Sequence, residues 1–143
     1  MSVSHVRWSL MVGALALLAA SADLSQAGSG PGGGGELRAK TRLAGAAIGG
    51  VVPSGHADYR ERGNSRRLNV EVEDVKLAVG SLEVFVNADR VGAIVMAPCV
   101  PGSPLLCGEL ELNTNDGEVV PDLAGNETVT VKNGAASILA GAL

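Results

Sequence analysis

The two cysteines are the first residues of this sequence whose type and spacing could do chemistry. Cys99 and Cys107 are the only cysteines, and seven residues lie between them. A zinc site needs four ligands, with cysteines or histidines in close pairs. Thioredoxin-like redox chemistry needs two intervening residues rather than seven. In an exported protein, paired cysteines form disulfides. The segment between the cysteines contains prolines and a glycine. We therefore predict that Cys99 and Cys107 form a disulfide that closes a turn-rich loop, and we assign no metal to them.

The oxygen-rich segment NTNDGEVVPD, residues 113–122, is a candidate calcium site. With Gly117 at the sixth position of a calcium-binding loop, Leu112 and Thr114 would occupy the first and third positions. Those residues do not match the acidic pattern that such a loop requires. An Asp-Gly pair favours a tight hairpin turn. We therefore predict a hairpin turn at Asp116-Gly117, and calcium held by scattered loops stays open.

Residues that could act as catalysts are few. Only one histidine, His56, lies in the predicted folded domain, and the chain has no G-x-S-x-G nucleophile motif. Glu71 and Glu73 share one strand face, as do Glu109 and Glu111, because alternate strand residues point the same way. Such pairs are typical of a solvated face that pairs with basic residues on neighbouring strands. The sequence thus predicts no catalytic, cofactor-binding or metal-binding residue, and no cofactor.

The elements that would position these residues follow a two-residue period in hydrophobicity. Apolar and polar residues alternate in ELRAKTRL, RRLNVEVEDV, LEVFVN, GELELN and TVTV, and more weakly in GHADYRER. This alternation is typical of strands with one buried face. RVGAIVMA is more uniformly apolar and is predicted to be a central strand, and ASILAG closes the chain. The predicted inward residues are Leu37, Ala39, Thr41, Leu43, Ala57, Tyr59, Leu68, Val70, Val72, Leu82, Val84, Val86, Leu110, Leu112, Val129 and Val131.

Turn residues separate the strand candidates. Asn64, Asn87 and Asn133-Gly134 tolerate the positive φ of tight hairpins. LAGAAIGGVV, residues 43–52, contains three glycines, which disfavour a helix, so we interpret it as a loop or a bent strand edge. Short strands at this spacing indicate an all-β fold. We predict an antiparallel β-sandwich, immunoglobulin-like or a related Greek key, of about seven to nine strands.

The N-terminus has the three parts of a secretory signal peptide. His5 and Arg7 precede a short apolar run, and Ala20-Ser21-Ala22 is a cleavage site, with Ser25-Gln26-Ala27 as a second choice. The apolar run is shorter than the about 20 residues of a membrane span. We therefore expect a secreted or periplasmic protein with no membrane span after cleavage. The expected organisation is a signal peptide at 1–22 (or to 27), a Gly-rich flexible linker at 23–35 and a β-sandwich domain at 36–143.

Composition and charge argue against a nucleic-acid partner. The formal net charge is −4, and the chain has one Phe, one Tyr and one Trp. The tryptophan, Trp8, lies in the predicted signal peptide. Modules that bind nucleic acid combine a basic face with aromatic side chains on which bases stack. We therefore expect no nucleic-acid partner.

Three pieces of strand-and-turn sequence occur together in the second part of the chain: VEVEDV at 70–75, GELELNTNDG at 108–117 and a terminal ILAG. They resemble a loosely defined group of secreted bacterial all-β domains, over about residues 41–143. The resemblance implies an exported all-β module without an assigned catalytic site, and it carries over no functional residues. Where that group has a short connection before G-E-L-E-L, this chain has Cys99–Cys107.

These observations predict an exported, non-enzymatic structural or interaction module of the cell envelope or extracellular space. Its partner would be an unidentified protein or glycan. Two other classes stay open. A ligand-binding domain for glycan or calcium could use the acidic C-terminal half, and calcium-dependent melting would favour it because a bound ligand raises stability. A secreted enzyme is the third class, and the sequence supplies no recognisable catalytic set for it.

Overall fold

The computed structural model describes residues 35–143, and the predicted signal peptide and nearly all of the predicted linker lie outside them. All strand pairs are antiparallel, and a 3-10 helix spans Thr114–Asp116. The predicted all-β antiparallel class is therefore confirmed. The nine strands are β1 (Glu36–Ala44), β2 (Ser54–Arg62), β3 (Ser65–Val75), β4 (Ser81–Val86), β5 (Asp89–Val95), β6 (Ala97–Pro98), β7 (Leu106–Asn113), β8 (Thr128–Asn133) and β9 (Ala136–Ala142).

The alternation of residue types sets the buried face of each strand. In β3, Leu68, Val70 and Val72 are fully buried, whereas Arg67 and Glu73 are exposed. The same alternation holds in β2, β4 and β8, as predicted. Burying a Val or Leu side chain contributes about 1.5–3 kcal/mol. The fold is therefore held mainly by one aliphatic core that receives side chains from almost every strand.

The strand order is β5-β4-β8-β9-β1-β2-β3-β7-β6. β1 pairs with β2 along its whole length but joins β9 through one residue pair, Ala44–Ala140. The order therefore divides there into two layers, β5-β4-β8-β9 and β1-β2-β3-β7. On the other side, the chain passes from β5 through Met96 into β6, which pairs with β7. The resulting sheet is nearly barrel-shaped and fits the sandwich and Greek-key class.

Two glycines allow close approach where the layers meet. A Cβ at Gly108 would collide with the Ile94 side chain and the Val95 carbonyl oxygen. A Cβ at Gly45 would collide with the carbonyl oxygen of Ile138. Only a residue without a side chain fits such contacts. The absence of a side chain at these two positions therefore permits the close approach of the layers at both sides of the fold.

The prediction of a central strand at RVGAIVMA is wrong in its placement. β5 stands at one end of the strand order, and among the described strands β4 is its only hydrogen-bonded neighbour. Its apolar character has another cause. Ile94 is buried, and the Leu110 side chain of β7 lies against Gly92 across the seam between the layers. A uniformly apolar strand can therefore lie where two layers pack against each other as well as in the middle of a sheet.

The predicted hairpin turn at Asp116-Gly117 is also wrong. Gly117 has φ of +83° and closes the 3-10 helix through its N–H, which donates to the Thr114 carbonyl oxygen. No strand follows directly, because Val120 and Leu123 turn into the core and cover one end of it. Pro121 between them has no N–H with which to extend a ladder. By contrast, residues 45–53 form a loop, as one of the two predicted readings had it.

Tyr59 links the segment after the 3-10 helix to the core. Its hydroxyl donates to Glu61 Oε2 at 2.8 Å and accepts from the Leu123 N–H at 3.4 Å. Arg66 lies 3.2 Å from the same Glu61 oxygen and 2.7 Å from Asp122. Tyr59 is the largest fully buried side chain, and a buried hydroxyl needs such partners. This polar network fixes the irregular segment over the end of the core.

Tyr59→Phe tests this network. We expect it to lower the free energy of unfolding by about 1–2 kcal/mol, because the Leu123 N–H loses its acceptor. Burial raises the pKa of Tyr59 to about 12. The neutral phenol therefore stabilises the fold fully below the unfolded pKa of about 10 and less as the pH approaches 12. Urea unfolding between pH 9 and 12 should show that the free energy of unfolding falls more steeply with pH for the wild type than for Tyr59→Phe. An equal pH dependence in the two proteins would contradict the assignment.

Candidate interaction surface

The two cysteines lie at the base of a hairpin formed by β6 and β7. Ala97 is the strand partner of Cys107, and the Cys99 N–H donates to the Leu105 carbonyl oxygen at 2.9 Å. The two Sγ atoms are 1.94 Å apart, and the Cα atoms are 4.8 Å apart. The predicted pairing of the cysteines is therefore confirmed at the level of disulfide geometry. We call residues 99–107 the stapled loop.

The stapled loop is also held by its own hydrogen bonds. The Ser103 N–H donates to the Val100 carbonyl oxygen at 3.0 Å, and the Leu105 N–H donates to Ser103 Oγ at 3.0 Å. Gly102 has φ of +79°, a conformation that favours glycine at this turn. Pro101 and Pro104 restrict the backbone further. The loop therefore has a defined shape in the unbound protein.

The disulfide fixes a surface rather than the core. None of residues 97–107 is buried, and Val100 is 61% exposed. Prolines, glycine and small polar residues surround that valine, so it stands alone at the tip. Of the loop residues, Leu106 packs against the core, so the cross-link mainly shapes the exposed residues between the two cysteines.

A groove lies between the stapled loop and the connection from β3 to β4. It has a volume of about 460 Å³ and is lined mainly by apolar side chains. The Lys76 ammonium at its edge donates to the Gly49 carbonyl oxygen at 3.1 Å, which ties this connection to the loop before β2. The apolar lining residues are Leu77, Ala78, Val79, Pro104 and Leu106. Together with the stapled loop, this groove forms what we call the loop surface.

The remaining candidates from the sequence lie on the outward face of β2, β3 and β7. His56 Nε2 is 3.2 Å from Glu71 Oε2, and Glu71 is the strand partner of Glu109. Glu109 accepts from the Asn69 side chain, and Glu111 lies 3.0 Å from Arg67. The expected pairing of these carboxylates with basic strand neighbours is thus confirmed for Glu111. Within residues 35–143, no three His, Cys, Asp or Glu side chains come together to hold a metal ion.

Several side-chain oxygen atoms of segment 113–122 are engaged by the protein itself. The Asn113 side chain accepts from the Asn115 N–H at 3.0 Å, and the Glu118 carboxylate accepts from the Asn113 N–H at 2.8 Å. Asp122 pairs with Arg66. This segment therefore uses its polar side chains to shape the chain after β7.

Two features of the surface were not found from the sequence. Leu77 and Val79 line the groove but follow no strand alternation, so no pattern singled them out. Glu127 accepts from three consecutive backbone N–H groups, of Ala124, Gly125 and Asn126, at 2.7–3.1 Å. Those hydrogen bonds, first that of Ala124, lower the pKa of the Glu127 carboxyl. Glu127 thereby shapes the turn before β8.

No protein-family model, curated protein or solved structure matches the chain. Within residues 35–143, no helix is long and apolar enough to cross a membrane. Functional inference therefore depends on the geometry of this chain. The loop surface is the most defined feature that this geometry offers, since it combines a cross-link, a positive-φ turn and an apolar groove.

The disulfide should stabilise the folded state chiefly through the unfolded chain. We expect Cys99→Ser/Cys107→Ser to lower the free energy of unfolding by about 2–3 kcal/mol, as the chain-entropy model gives for a nine-residue loop. Urea unfolding of the double variant and the wild type measures this difference. A loss far above that range, or no folding at all, would show that the cross-link supports the core.

Proposed function

We propose that this protein is an exported, non-enzymatic interaction module of the cell envelope or extracellular space, which binds a protein partner through its loop surface. The observation that supports this proposal best is the position of the disulfide. It closes a loop whose residues are all at least partly exposed, next to an apolar groove. Such a loop has a defined shape although, of its residues, only Leu106 packs against the core within the part of the chain that the structure describes.

A preformed loop suits binding for a thermodynamic reason. Ordering a flexible loop on association costs free energy, and a cross-link reduces that cost in advance. Val100 is an exposed apolar side chain of the stapled loop, and Ser103, Pro104 and Leu106 of the same loop line the groove. Interfaces gain most of their affinity from a few such desolvated contacts. The loop surface therefore fits the recognition of a partner with a complementary apolar side chain.

Export is the second part of the proposal. The N-terminal residues match a signal peptide, and a disulfide persists mainly in oxidising compartments. The resemblance of the strand and turn sequences to secreted bacterial all-β domains points the same way. These features support a location outside the cytosol, where a stapled loop keeps its cross-link.

Val100→Asp tests the contact directly, because it places a charge at the exposed centre of the stapled loop. Its matched control is Val119→Asp, since Val119 is 87% exposed and lies beyond the opposite end of β7. The tagged wild type and both variants would be incubated with the extracellular and envelope fractions of the source cells, followed by mass spectrometry. We expect one enriched partner that binds the wild type and Val119→Asp at least about tenfold better than Val100→Asp.

Retention of that partner by Val100→Asp would contradict the proposed contact. Replacing residues 100–105 with Asn-Gly, which keeps both cysteines, β6 and β7, provides a second variant. It should also lose the partner while its strands keep the wild-type circular dichroism. A hydrolytic or transfer activity that His56→Ala or Glu109→Gln abolishes would instead contradict the non-enzymatic assignment. A rise in melting temperature with calcium, reversed by EDTA, would favour the ligand-binding alternative.

A further inference from the structure

Three arginines stand side by side across the first layer of the fold. The register pairs Arg38 of β1 with Arg60 of β2, and Arg60 with Arg67 of β3. We call these three residues the arginine row. Neighbouring strands are about 4.8 Å apart, so the row carries three positive charges over about 10 Å of sheet. All three side chains lie on the outward face, and their exposed fractions are 59%, 49% and 52%.

The arginine row places like charges opposite each other in two neighbouring strand pairs, Arg38–Arg60 and Arg60–Arg67. Like charges directly opposite each other on adjacent strands are destabilising. In the next row Lys40 faces Asp58, whereas further along the same layer Glu71 faces Glu109, so like-charge contacts occur both at the row and between these two carboxylates. Local violations of this kind occur in proteins mainly where function requires them. The row is therefore a candidate site for an external anion, whose binding would relieve the repulsion between its arginines.

The anionic groups already at the row show what it can bind. Glu36 accepts from Arg38 Nε and lies 3.4 Å from Arg60 Nε. The arginines around Glu36, Arg38 first, lower the pKa of its carboxyl. At the other end, Glu111 lies 3.0 Å from Arg67. Each guanidinium has five N–H donors, so these contacts leave donors free for an external anion.

Further positive charge surrounds the row. Arg62 and Arg42 lie on the same outward face of β2 and β1, and neither has an ion pair within residues 35–143. Arginine binds carboxylate and sulfate groups through two parallel hydrogen bonds, which a lysine cannot do. Around the row itself, Arg38, Arg60, Arg62 and Arg67 outnumber the carboxylates of Glu36 and Glu111, although the whole chain has a net charge of −4.

We propose that the arginine row binds an anionic polysaccharide, whose carboxylate or sulfate groups lie along the row. A sugar polymer fits better than a nucleic acid because the outward face of β1, β2, β3 and β7 offers no Phe, Tyr or Trp side chain for base stacking. Tyr59 is fully buried, and Phe85 is in the other layer, with Lys132 Nζ 4.4 Å from its ring centre. This binding is separate from the proposed loop contact.

Arg60→Gln tests the row, because Arg60 is its middle member. The matched control is Arg90→Gln, since Arg90 is similarly exposed and ion-paired to Glu83, but in the other layer. The probes are dextran sulfate, polygalacturonate and neutral dextran, with binding measured by calorimetry at 50 and 200 mM salt. We expect a loss of about tenfold or more for Arg60→Gln, because charge-assisted hydrogen bonds disappear. Arg90→Gln should stay within about twofold of the wild type.

Glu36→Gln gives a test in the opposite direction. It removes the internal carboxylate that competes for Arg38 and Arg60, so affinity should rise about two- to fivefold. Glu83→Gln is its control, with the same charge change beside Arg90 in the other layer. Affinity for the wild type should fall with salt, as expected for a charged polymer that releases counterions. The two anionic probes show whether sulfate or carboxylate is preferred.

Several results would overturn the inference. Binding of dextran sulfate and polygalacturonate that is equally weakened by Arg60→Gln and Arg90→Gln would show a diffuse charge effect. Binding of oligo-dT at least as tight as of both anionic polysaccharides would show a nucleic-acid surface. Absence of binding to either polysaccharide would also reject the inference. If the protein then formed a salt-sensitive dimer that Arg60→Gln abolishes, the row would be assigned to self-association. None of these results bears on the partner contact of the loop surface, which Val100→Asp tests.

Discussion

Burial of one face of nearly every strand in a core almost without aromatic side chains is the constraint on which this structure depends. Tyr59 is the single aromatic residue in the core, and the other core residues are aliphatic or methionine. Small side chains fill little volume, so the layers must approach closely, as they do at Gly45 and Gly108. The end of the core that the strands leave open is covered by Val120 and Leu123, which the Tyr59 hydroxyl holds in place.

The same constraint separates stability from function. Because inward positions alternate with outward ones, each strand that supports the core also displays a row of polar side chains. The arginine row uses those outward positions, and the stapled loop extends from the hairpin where the chain crosses between the layers. Both surfaces can therefore vary in chemistry without changing the core. The disulfide adds stability mainly through the unfolded chain, and in the folded protein it sets the shape of a surface.

Features that depend on local pattern were predictable from the sequence, and those that depend on distant contacts were not. Alternation placed Leu68, Val70 and Val72 correctly because it reports burial directly. The position of β5 at the seam depends on contacts of Gly92 with Leu110, which are far apart in sequence. The Asp116-Gly117 pair is typical of a hairpin turn, and the sequence does not show that Val120 after it is buried in the core. The cysteine pair was predictable because its spacing is short, whereas the groove beside it combines residues 76–79 with 103–106.

The measurement that tests the central claim most directly is the ¹⁵N relaxation of the backbone in the wild type and in Cys99→Ser/Cys107→Ser. The claim is that the disulfide sets the shape of the stapled loop and leaves the core intact. It predicts order parameters that fall from about 0.85 to below about 0.6 over residues 99–105, with β3, β4 and β8 unchanged. A loop that stays rigid without the disulfide, or strands that loosen together with it, would contradict the account.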